Sequence, residues 1–128
     1  MNKDDLQERM TSFAVRIIKM VDAMPSTISG VAIGRQIVRS GTSPSANYRA
    51  ACIAKSDKDF INKLKMVEEE LDETSHWLTL IMRSEMMKAS RIQPLYQECC
   101  ELLSIIVKSI VTTKNRMKVE EIKKLNNR

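Results

Sequence analysis

Apolar side chains recur along this 128-residue chain at helical spacing in four stretches. In the first, Leu6, Met10, Phe13, Ile17, Met20 and Met24 follow a 4-3-4-3-4 rhythm, which predicts a helix over about Asp4–Met24 that Pro25 stops. The second stretch starts near Ser26–Ser29 and runs to about Lys55. It is small-sided, with Gly34, Gly41, Ser45, Ala46, Ala50, Ala51 and Ala54, so a neighbouring backbone can come close. Pro44 falls in its middle and predicts a kink or two abutting segments, with Ser40, Thr42 and Ser43 as hydroxyl partners for freed carbonyls.

The third helix begins at Ser56 or Asp57. Phe60, Leu64, Val67, Leu71, Thr74, Leu78 and Ile81 form its seam, and it is expected to end near Met86–Lys88. The fourth starts near Ser90, tolerates Pro94 in its first turn, and places Ile92, Tyr96, Cys99, Leu103, Ile106 and Ile110 on its seam. Four long helices joined by short links predict an all-α, antiparallel up-down-up-down four-helix bundle over residues 1–116, followed by a basic tail, 117–128. Val15 and Ile18 lie off the first seam, and seven of the ten residues from Leu102 to Val111 are apolar. Such helices need a second burial surface, and another copy of the chain is the simplest supplier.

Few glycines, prolines and aromatics agree with a helical class. The net charge of +5 is unevenly placed. Residues 23–56 hold Arg35, Arg39, Arg49 and Lys55 and no acid, and the last fifteen residues hold six basic side chains against Glu120 and Glu121. Such blocks point to a polyanion partner. Cys52, Cys99 and Cys100 make a poor disulfide framework, no apolar run reaches membrane-spanning length, and the charged start is unlike a signal peptide. A reduced, cytoplasmic protein away from membranes is the expectation.

No base, nucleophile, phosphate loop or cofactor motif converges, so the reading is non-enzymatic, with no cofactor. Glu73 and His76 form one Glu-x-x-His, but the chain has a single histidine and no second copy, so no metal site is expected. Arg35, Lys55, Lys58, Lys114, Arg116 and Lys118 are the phosphate-contact candidates. Arg39 and Arg49 belong to the same basic set, but the preferred role for both is pairing with Glu70 or Glu73 on the facing helix. Asn47 is assigned a buried hydrogen bond that fixes helix register, and Trp77 an anchoring place at a subunit interface. With few aromatics for base stacking, nucleic-acid binding is expected to show weak sequence preference.

The central run is Gln36-Ile37-Val38-Arg39-Ser40-Gly41-Thr42-Ser43-Pro44-Ser45-Ala46-Asn47. It continues with Arg49-Ala50-Ala51, then Ala54 to Lys63, then Asp72-Glu73-Thr74-Ser75-His76-Trp77-Leu78. Together these resemble the four helix bundle protein family, also called the 23S rRNA intervening-sequence protein family. Two positions depart from the usual pattern: Pro44-Ser45 replaces an Ile-Gly pair, and Ala50 or Ala51 replaces a glutamate, which leaves the second helix more basic. The resemblance implies a four-helix bundle that assembles as a ring-like homopentamer. It also implies nucleic-acid binding and, in the diversity-generating retroelement branch, a reverse transcriptase partner. The competing reading is a protein–protein adaptor whose positive charge is incidental.

Overall fold

The computed structural model describes residues 1–127. Its first helix, α1 (Lys3–Asp22), opens with a reciprocal cap: the Asn2 side chain accepts from the Asp5 amide, and the Asp5 carboxylate accepts from the Asn2 amide. One face is buried from Leu6 to Met20 in the predicted rhythm, with Ala14 added. Helix α2 (Ile28–Cys52) is capped by Thr27. It runs on through Pro44 as a single element, so the alternative of two abutting segments is not what forms. The Thr42 and Ser43 hydroxyls donate to the Val38 and Arg39 carbonyls at 2.6 and 2.7 Å.

The close approach anticipated from small side chains occurs at Gly41. A Cβ there would meet the Ile17 side chain at 2.8 Å, so α1 and α2 pack almost backbone to side chain. Gly30 answers to a harder constraint, since a Cβ there would overlap the Pro25 carbonyl oxygen of the α1–α2 turn.

Helix α3 (Asp57–Arg83) is capped by Ser56. It ends earlier than the apolar pattern implied. The chain turns over at Glu85, whose φ of 59° is left-handed. The Glu85 and Met86 amides donate back to the Met82 and Ile81 carbonyls, the double closure of a Schellman motif built without glycine. Helix α4 (Ala89–Asn126) is the longest element. Its buried side is Ile92, Leu95, Cys99, Leu102, Ile106, Ile110 and Thr113, so Leu95 and Leu102 take the places expected for Tyr96 and Leu103, which are half-buried beside them. On α3 likewise, Ile61 is fully buried and Phe60 only partly.

Packing is carried by the sequential pairs α1–α2, α2–α3 and α3–α4, while α1 and α4 meet more sparsely. Paired positions run in opposite senses. Asp57 meets Arg116 at one level of α3–α4, and the Leu71 carbonyl accepts from the Cys99 thiol at another. The sparse α1–α4 seam is bridged by Arg9, which holds Glu98 and reaches Glu101 at 3.3 Å. At the core of the α2–α3 contact the Ser40 and Thr74 hydroxyls, both fully buried, lie 2.9 Å apart and hydrogen-bonded. At about 1.5 Å per residue α4 spans roughly 57 Å. The residues beyond Arg116 therefore continue the helix past the level of Asp57 as an exposed arm carrying Val119, Ile122 and Leu125. Of the basic tail, Arg128 lies outside the described residues.

Candidate nucleic-acid interface

The sequence-predicted cations do not form one patch. Helix α2 is about 37 Å long. Arg35 lies toward its start, beside the α1–α2 turn, where it lines a shallow groove with Pro25, Ser26 and Val38. Lys55 lies beyond its other end, in the α2–α3 turn. Arg39 sits between them and does what its family position suggested. One guanidinium nitrogen bonds both Glu70 oxygens at 3.1 and 3.0 Å, and the other bonds both Glu73 oxygens at 2.7 and 2.8 Å. Glu73 also accepts from the Trp77 indole at 3.2 Å. The arginine, foremost, and then the indole hold the Glu73 carboxyl below the usual carboxylate range. Arg39 is thus an α2–α3 tie, not an available cation. Trp77 is half-buried beside the core.

Arg49 is exposed, and among the described residues it has no ion-pair partner, so the pairing expected for it with Glu70 or Glu73 does not form. Both glutamates are already taken by Arg39, which lies nearly three turns from Arg49 along α2. Asn47 is half-buried. The buried polar pair of this interface falls instead on Ser40 and Thr74.

The remaining candidates gather at the bundle end made by the α2–α3 turn. Lys55 and Lys58 are exposed there, on either side of the Ser56 cap. Arg116 of α4 reaches across to Asp57 at 2.8 and 3.0 Å and holds its carboxyl below the ordinary range. Lys114 and Lys118 stand to one side of that contact, where they line a hollow of about 480 Å³ with Ile61 and Met117. Asp59 at this end is engaged by Lys63 at 3.0 Å, which lowers its carboxyl as well. One cation belongs here that the charge blocks did not reveal. Lys3, at the start of α1, shares a second hollow with Lys55 and Arg116. Lys3, Lys55 and Lys58 have no ion-pair partner among the described residues. The opposite end also carries cations missed in the sequence, with Lys88 of the α3–α4 turn and Arg91 of the first turn of α4 lining a hollow together with Glu85, Ala23 and Pro25.

The buried Cys99 thiol donates to a carbonyl at 3.2 Å, and burial pushes it up to about 12, so it packs as a small apolar group. Among the described residues no cluster of three or more His, Cys, Asp or Glu side chains is placed to hold a metal ion. No described helix is long and apolar enough to cross a membrane.

Residues 3–108 match the family described as 23S rRNA-intervening sequence protein. A crystal structure from Bacteroides thetaiotaomicron, described as a protein of unknown function from the S23 ribosomal protein family, superposes with a TM-score of 0.77. It is 32% identical, and the match covers 82% of this chain and 97% of that one. No curated protein matches. The match over residues 3–108, with a solved member 32% identical and of the same fold, carries the conclusion that the chain belongs to the 23S rRNA-intervening sequence protein family.

Proposed function

We propose that this protein is a non-enzymatic, homo-oligomeric four-helix bundle that binds nucleic acid through the basic end formed by the α2–α3 turn. One observation carries the reading. Lys3, Lys55, Lys58, Lys114, Arg116 and Lys118 come from α1, the α2–α3 turn, α3 and α4, yet they collect at one end of the bundle. Cations gathered from distant parts of a chain make a surface that sequence-local charge runs do not. Lysines without carboxylate partners are available to phosphate oxygens, where each contact releases counterions. Oligomer formation has separate support. Val107, Val111, Ile122 and Leu125 of α4 are exposed on one side of the helix, and Val15 and Ile18 of α1 are exposed too. A ring of five copies, as the family resemblance implies, would repeat the basic end around an axis. Such an assembly suits an accessory to an RNA or to a retroelement reverse transcriptase in the cytoplasm.

Binding of the purified protein to labelled RNA and to duplex DNA, at two salt concentrations, tests this. Affinity that falls steeply with salt is expected, its slope counting the phosphate contacts. Absence of binding at low salt overturns the proposal and leaves the adaptor reading. Light scattering tests the assembly: a species well above the 14.6 kDa chain is expected, and a monomer at high concentration refutes it.

A further inference from the structure

The hollow shared by Lys3, Lys55 and Arg116 combines three cations with two aromatic side chains. Its volume is about 550 Å³, inside the range of about 300–1,000 Å³ usual for small-molecule sites. Two aromatic side chains line it: Phe60, only partly covered by the core, and Tyr48, which is 5% exposed. These are two of the five aromatic side chains in the whole protein. The mouth carries three cations against one carboxylate, Asp57, which is already bound to Arg116. The Ser56 hydroxyl and the first turn of α3 close one wall, adding the partial positive charge of a helix start. The hollow at the opposite end supplies an internal control. It is of similar size, about 530 Å³, and Lys88 and Arg91 stand on its rim, but its apolar lining is Pro25, Met86 and Met87, with no ring.

Aromatic side chains and cations lining one hollow suit one nucleotide, a flat base joined to a phosphate. A base inside a duplex has no exposed face to offer an aromatic side chain, whereas an unpaired base does. We propose that this hollow takes a single unpaired nucleotide of a bound strand, its base against Phe60 and its phosphate between Lys3 and Lys55. This rests on the nucleic-acid reading above and adds a preference for single strands over duplex. The base is held by stacking, so any of the four bases is accepted.

The test uses the full chain and a short single-stranded RNA carrying 4-thiouridine, beside a duplex of the same sequence. The wild-type protein is expected to favour the single strand and, on irradiation, to cross-link within the peptide spanning Tyr48–Phe60. Phe60→Leu keeps apolar volume and removes the ring. Ala54→Leu fills part of the hollow with apolar volume and no ring, since Ala54 is half-buried in its lining. Both are expected to weaken single-strand binding about tenfold, the worth of one stacked base, with duplex binding and salt slope unchanged. Cross-links confined to other peptides, or unaltered single-strand affinity in both variants, overturn the pocket while leaving the basic surface standing. Failure of the wild-type protein to bind either probe at low salt overturns both.

Discussion

The two ends of this bundle carry similar charge on different foundations. At the α2–α3 end, exposed lysines share a hollow with Phe60 and Tyr48. At the α1–α2 and α3–α4 end, Arg35, Lys88 and Arg91 surround grooves floored by methionine, valine and proline, with Asp22 and Glu85 among the lining residues. The turns differ too. The α2–α3 turn closes on a serine cap and contains no glycine. The other end depends on Gly30 for room and on Glu85 for a left-handed reversal. Positive charge alone therefore does not single out a site. What lies under the charge, and how tightly the backbone beside it is constrained, separates a plausible ligand surface from a structural one.

The largest effect that would sharpen this contrast is on binding. Reversing Lys3, Lys55 and Lys58 together to Glu is expected to weaken RNA binding about a hundredfold and to lower the salt slope by about three. Lys3 and Lys58 lie in first helical turns, where acids are favourable, so the fold is not harmed. The matching reversal of Arg83, Lys88 and Arg91 is expected to cost only a few fold. Equal losses from the two triples, measured by fluorescence anisotropy, would erase the distinction between the ends.

Next in size is Gly30→Ala. Its new methyl meets backbone that has no room to yield, so a loss of about 2–3 kcal/mol is expected in urea unfolding. Ala54→Gly in the other turn should cost well under half as much. The reversal at Glu85 gives a smaller effect of opposite sign. Glu85→Gly relieves the left-handed strain and is expected to raise stability by about 0.5–1 kcal/mol in the same assay.

The smallest effect concerns pH. Asp57 and Asp59 both titrate below their ordinary range because of Arg116 and Lys63. A carboxyl lowered in the folded state contributes stability above its unfolded value and loses it as pH falls through the folded value. Arg116→Gln should therefore be slightly less stable than wild type at neutral pH, with the gap closing as pH drops below the usual carboxylate range. A gap that persists in acid would mean that Arg116 acts through packing rather than charge.

Much of the architecture was legible in the linear pattern. The seam on α1, and that on α3 from Leu64 onward, could be read because a 3.6-residue period leaves little freedom about which side faces in, and the Ser56 cap and the Pro25 stop are local signals. On α4 the same reading slipped by one position at Tyr96 and Leu103. That helix is apolar on more than one side, so composition could not choose between adjacent stripes. The end of α3 was missed because its closure uses a glutamate in a conformation usually marked by glycine.

The candidate site was less legible. The pairing expected from opposite charges on facing helices formed at Arg39 and not at Arg49, because Glu70 and Glu73 stand one turn apart at the level of Arg39 alone. Lys3 could not be placed, because it lies more than fifty residues from Lys55 in sequence and only helix length and direction bring the two together. By itself the sequence determined four helices, their order and most of their buried positions, since those follow from local periodicity and caps. Only the tertiary structure decided which stripe of α4 faces inward, which cations remain unpaired, which end of the bundle they share and which aromatic side chains share their hollow. Those are relations between elements, set by how far each helix runs before it turns.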